Sequence, residues 1–240
     1  MRTSEDLRKI RPPLPDFILK ADFFPHYKNI FEMMVLYAHL RGAESFSRLY
    51  GTETMTGLND WDAEVLLLAK DAGPSCVFQS LIDHQDPEPW RHADKVKGDI
   101  HGVSTNEKLR ELAKLIPGTK MYGSLLANLL RNDGKSGGLL PDFSNPLLQT
   151  YIKDVLRYSI DRLQNIKVIA CLGNDSWKFV SALSEPRQNK SAELGRAVPV
   201  RLFGRSLHLV RLYHPSRPFK GGWEQRELEW LKISASLTGN

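Results

Sequence analysis

Two short apolar runs constrain the fold more than anything else in the chain. Val65-Leu66-Leu67-Leu68-Ala69 stops at the loop Lys70-Asp71-Ala72-Gly73-Pro74-Ser75, and Lys167-Val168-Ile169-Ala170-Cys171-Leu172 stops at Gly173. An almost uninterrupted apolar run with no polar alternation has no face for water, which is the pattern of a parallel strand covered on both sides. Ser206–Tyr213 reads as a further strand. Met121–Leu130 suits either a buried strand or a helix, and we read it as a strand leading into a loop. Helical spacing of apolar residues marks Thr105–Ile116, with Leu109, Leu112 and Leu115 inward, and Leu147–Leu163, with Leu148, Ile152, Val155, Leu156 and Ile160 inward. A helix is also expected from Gly173 to about Leu183, and another from Trp223 to Leu237. Strands alternating with helices imply right-handed crossovers and an α/β fold, a three-layer α/β/α sandwich with a central, mainly parallel sheet.

The remaining segments frame that core. After a proline-punctuated arm through Pro15, Tyr27–Tyr50 carries Ile30, Met33, Met34, Tyr37, Leu40 and Phe46 at helical spacing and is read as one or two helices. Asp83–Gly102, rich in His, Pro and charge, is a surface loop; Arg131–Pro146, with Gly134, Gly137 and Gly138, is irregular. The expected organisation is one domain over 1–240 with an N-terminal helical extension of about 60 residues. Its 240 residues, 41% hydrophobic and 25% charged, suffice for a sizeable core and exclude a disordered or fibrous chain.

Charge and cysteine usage narrow the partners. The 33 Lys+Arg against 28 Asp+Glu give +5, and the pI near 9.1 permits a polyanionic partner without requiring one. The distribution says more: between Glu185 and Lys220 stand Arg187, Lys190, Arg196, Arg201, Arg205, Arg211, Arg217 and Lys220 against only Glu185 and Glu193. Cys76 and Cys171 are too few for a thiolate-held iron–sulfur cluster or a four-cysteine zinc site and match a reducing cytoplasm. No run approaches the roughly 20 apolar residues of a membrane span, and no apolar signal core precedes Pro15. A cytoplasmic protein without a membrane partner, a monomer, is expected.

In open parallel sheets ligands sit beyond the carboxyl ends of the strands. Asp71, Asn128, Gly173 and His214 all fall at such ends, so residues distant in sequence converge. The last of them belongs to Leu212-Tyr213-His214-Pro215-Ser216-Arg217.

These elements resemble the uracil-DNA glycosylase superfamily. VLLLAKDAGPS, Val65–Ser75, is similar to its first motif, an acid- or amide-bearing Gly/Pro loop after an apolar strand. Ala127-Asn128-Leu129-Leu130-Arg131 resembles the middle element, in which an asparagine reads the base edge. KVIACLG resembles the framework that many members of the four-cysteine branch place before the last motif, and His214-Pro215-Ser216 is similar to that motif, HPS. The likeness runs from about Val65 to Trp230.

The resemblance implies hydrolysis of the N-glycosidic bond of uracil, or another deaminated base, in DNA, without metal or organic cofactor. Asp71 would stabilise the oxocarbenium-like sugar and orient or deprotonate water, and His214 would donate to the base carbonyl where negative charge gathers. Asn128 would present a donor and an acceptor to the base's pairing edge. His101, or alternatively Phe78, would stack on the base, and Gly73 would lie against it. Ser75 and Ser216 would contact phosphate, with Arg217 or Phe219 as the wedge that fills the vacated stack. Each residue also has a plainer role: Asp71 capping its turn, Asn128 forming one, His214 ordering its own loop, Arg217 a solvated charge. Sliding the first motif by one residue puts Lys70 where some branches carry their acid, and the proline directly after the acid is missing.

Two other readings stand beside this one. A non-catalytic nucleic-acid-binding relative would keep the fold without the bond cleavage. A small-molecule nucleotide-binding domain would use the KDAGPS loop for phosphate, but that loop lacks the spacing of a GxxxxGK[ST] or GxGxxG cradle.

Overall fold

A computed structural model describes residues 27–29, 62–70, 105–126, 129–131, 144–188, 192–215 and 222–237. Its elements are β1 (Tyr27–Asn29), β2 (Val65–Ala69), α1 (Thr105–Ala113), β3 (Met121–Leu125), β4 (Leu129–Arg131), α2 (Pro146–Arg162), β5 (Val168–Leu172), α3 (Asn174–Leu183), β6 (Ala197–Leu202), β7 (Arg205–Leu212) and α4 (Gly222–Leu237). The chain forms two compact units. One comprises Met1–Gly57, Asp71–Ser104 and Leu125–Tyr158; the other comprises Leu58–Lys70, Thr105–Ser124 and Ser159–Asn240. The result is a mixed α/β fold with a mostly parallel five-stranded sheet.

In the second unit that sheet runs in the order β3-β2-β5-β7-β6. β5 is parallel to both β2 and β7, with Val65 opposite Val168 and Val168 opposite His208. Lys120 O accepts from the amides of Glu64 and Val65, and Glu64 O accepts from Lys167 N, so β3, β2 and β5 start in a row along one sheet edge. Side chains alternate across the pleat. Val65, Leu67, Val168, Ala170, Leu172, Val210 and Leu212 share a buried cluster with Leu109 and Leu112 of α1 and Trp230 and Ile233 of α4. Leu66, Leu68, Ile169, Cys171 and Leu209, on the opposite face, are at most 1% exposed, as the uninterrupted apolar runs predict. Each such side chain contributes about 1.5–3 kcal/mol relative to leaving it in water. Cys171 is a buried free thiol whose pKa burial pushes up; Cys76 lies outside the described residues.

β6 is absent from the sequence reading. It pairs antiparallel with β7 through the two-residue turn Phe203-Gly204, with φ of +50° and +82°, the backbone that a two-residue hairpin of primed type requires. Pro199 sits in this strand opposite His208, where an edge position leaves its missing N–H without consequence.

In the first unit, Tyr27–Asn29 pairs antiparallel with Leu129–Arg131, so the start of the expected N-terminal helix is a strand. The rest of that helical reading lies outside the described residues. Met121–Leu130 is two strands, not one. α2, whose residues to Tyr158 belong to this unit and whose last turn from Ser159 belongs to the second, starts at Pro146, with the Asn145 side chain accepting from the amides of Leu147 and Leu148, the usual amide cap followed by a first-turn proline. Its face of Leu148, Ile152, Val155, Leu156 and Ile160 is buried as expected. No described helix is long and apolar enough to cross a membrane.

Candidate active site

Three adjacent strands of the sheet end at one edge. Their last ladder residues, Leu68 of β2, Cys171 and Leu172 of β5, and Arg211 and Leu212 of β7, are in register, so Lys70, Gly173 and Tyr213-His214 emerge at nearly the same level. With strands about 4.8 Å apart, the outer two of the three are roughly 10 Å from each other.

Gly173 is the hinge of this edge. It turns the chain from β5 into α3 with φ +90° and ψ 175°, a backbone region open essentially to glycine alone. Its amide donates to Leu212 O at 2.9 Å, which ties the exit of β5 to the exit of β7. A Cβ at this position would stand 3.4 Å from His214 Cβ and 3.6 Å from His214 Cδ2, so the half-buried imidazole lies against the bare backbone of Gly173.

Lys70 leaves β2 with its side chain 15% exposed and forms a 3.2 Å ion pair with Asp175 in the first turn of α3. An acid in a first turn is favoured by the partial positive charge of the helix start. The next residue of α3, Ser176, is fully buried. Arg211, on the same sheet face as Cys171, donates to Asn174 Oδ1 at 2.6 Å and to Ala192 O at 3.0 Å.

α4 binds the main chain on either side of His214. Tyr213 N donates to Glu229 Oε2 at 3.2 Å, and Arg226 Nη1 donates to Pro215 O at 2.6 Å, with the Arg226 guanidinium 5.8 Å from the centre of the Tyr213 ring. Glu229 is 1% exposed, and burial pushes its carboxyl up from the ordinary range. The Tyr213 amide and the charges of Arg226, Lys232 and Arg211 pull the other way without reversing the direction.

Of the residues to which the resemblance gives a site role, His214 alone lies among the described residues, and of the other strand-end residues Gly173 does too. Asp71, Gly73, Ser75, Phe78, His101, Asn128, Ser216, Arg217 and Phe219 lie outside them. The structure adds groups that the sequence reading missed: Asp175 as partner of Lys70, and Arg226 and Glu229 on α4. The last two carried a faint signal, since Arg226, Glu229, Trp230 and Ile233 share a helical stripe whose other members are core. The basic stretch also changes meaning. Arg205 and Arg211 spend their guanidinium groups on carbonyls within the fold, whereas Arg187, Arg196 and Arg201 are exposed.

Chemically, this edge offers an imidazole donor in a fixed position and a cation held beside a helix start. Comparison of the chain with models of known protein families and with curated proteins finds no match.

Proposed function

We propose that the chain is a monofunctional DNA glycosylase of uracil-DNA glycosylase-like architecture, a three-layer α/β/α sandwich that releases uracil or another deaminated base and so initiates base-excision repair. The observation that carries the reading is the seating of His214. It follows a strand at the carboxyl edge of a mostly parallel sheet, lies against Gly173 of the neighbouring strand, and has its flanking main chain held by α4. A hydrogen-bond donor fixed before reaction stabilises charge as it develops, and the departing base is an anion. Here His214 donates to the base carbonyl. Asp71, one residue beyond the ion-paired Lys70, faces the cationic sugar and the attacking water, and Asn128 reads the pairing edge. His101 and Gly73 bound the base, Ser75 and Ser216 hold phosphate, and Arg217 or Phe219 fills the stack. The chemistry needs no metal or organic cofactor, and the enzyme acts as a cytoplasmic monomer on DNA.

The test is base release from end-labelled single- and double-stranded oligonucleotides carrying one uracil, hypoxanthine or xanthine, followed by alkaline cleavage. Wild type is expected to leave an alkali-labile site. Asp71→Asn and His214→Ala are expected to lower turnover by on the order of 100-fold or more while DNA affinity changes little. Tight DNA binding with no cut on any substrate would assign the chain to the non-catalytic binders instead.

A further inference from the structure

We infer that Arg226 and Glu229 are positioning residues for His214, a two-point clamp through which α4 sets the orientation of the imidazole. The inference rests on the glycosylase reading for its consequence in turnover, but its geometry is independent of that reading.

β7 ends at Leu212, so the next amide, Tyr213 N, has left the ladder, and a main-chain donor buried without a partner is costly. Glu229 supplies the acceptor at 3.2 Å. Two residues further on, Pro215 is buried, and Arg226 donates to its carbonyl at 2.6 Å. Residues 226 and 229 are three apart on one helix and therefore project from the same face. His214 lies between the two tethered peptide groups, with Gly173 against its ring. Main-chain freedom on both sides of the histidine is thereby removed, and one direction is closed to the side chain.

The composition of the clamp argues for placement rather than stability. Arg226 and Glu229 are 5% and 1% exposed, in a stripe with the core residues Trp230 and Ile233. Among the described residues Glu229 Oε1 has no hydrogen-bond partner. Replacing buried charged groups by apolar ones of similar volume is often neutral or stabilising, so packing alone does not call for this pair. What the pair provides, and an apolar pair would not, is two directional bonds to the main chain bracketing one histidine.

The experiment combines base release with the His214 imidazole resonances in ¹H–¹⁵N spectra. Glu229→Gln keeps an oxygen acceptor and is expected to stay near wild type in both. Glu229→Leu is expected to shift the His214 resonances and lower kcat by on the order of 10- to 100-fold, with KM unchanged, as a misplacement of about 1 Å would. That loss should vanish in the His214→Ala background, where there is no imidazole left to place. Unmoved resonances with unchanged kcat in Glu229→Leu would overturn the clamp, as would an equal further loss in the His214→Ala background. Should Glu229→Leu fail to fold, Arg226→Lys, which keeps the charge but not the planar fork, takes the same two readouts. If wild type releases no base at all, the glycosylase reading falls, and the resonances alone decide the clamp.

Discussion

The cost of a buried carboxylate is visible at Glu229. Burial raises its folded pKa above the ordinary 4.5, so between those two values the folded chain binds more protons than the unfolded one. Stability linked to this group is therefore complete below about pH 4.5 and is lost as pH rises through the folded value. The charges that act on it are Arg226 and Lys232 on its own helix and Arg211 on β7, and Lys232 also pairs with Glu193 at 3.4 Å. Glu229→Gln keeps the acceptor for Tyr213 N and removes the titration. Its melting temperature should match wild type near pH 4, rise above it as pH climbs through the folded value, and keep that margin at higher pH. Parallel melting curves for the two proteins across that range would show that Glu229 does not carry this linkage. The carboxylate thus costs stability at neutral pH.

Arg205 shows how one side chain ends a helix and joins it to a strand. Its guanidinium donates to Ile160 O at 2.6 Å in the last turn of α2, and to Leu163 O at 3.0 Å, Gln164 O at 2.7 Å and Ile166 O at 3.3 Å in the segment that follows, where it meets the partial negative charge of the helix end. A lysine keeps the charge but not the fork. Arg205→Lys should cost on the order of 2 kcal/mol, a fall of roughly 4–8 °C in Tm. An unchanged Tm would mean that the cap contributes nothing. This contact could not be foreseen, because the helix end and the arginine are 39 residues or more apart in sequence. The elements themselves were largely legible: β2, β5 and β7 announce themselves as hydrophobic runs, α1 and α2 by their 3.6-residue stripes, and α3 and α4 by following such a strand or closing the chain. β6 was missed although Val198, Val200 and Leu202 alternate with Pro199 and Arg201, because the run is short and its central proline argues against a strand. Tyr27–Asn29 was misread as helix because a strand of three residues is decided by its partner at Leu129–Arg131, about 100 positions away, and not by its own spacing. At the site, the His-Pro-Ser motif pointed to His214, whereas the roles of Glu229 and Arg226 exist only once α4 is docked.

For the molecule as a whole, the question is where a polyanion would lie. The +5 charge sets no direction by itself, but the topology separates the basic residues. β7 is eight residues long, about 23 Å from Arg205 to Leu212. Arg201 pairs with Ser206 at the start of β7, the edge opposite His214, and its backbone bonds to Glu185 there. Arg196 stands at the other end, directly after Gly195, whose amide donates to Arg211 O at 2.8 Å. Both are exposed, so they differ mainly in which edge they mark. If DNA lies across the strand ends that carry His214, Arg196 is within reach of its phosphates and Arg201 is not. Each phosphate contact contributes about 0.9 to the slope of log K against log salt. Arg196→Ala should therefore flatten that slope by about 0.9 for a uracil-containing duplex, and Arg201→Ala should leave it unchanged. The reverse result would put the DNA on the amino edge of the sheet, away from His214, and would remove the histidine from the chemistry whatever its geometry.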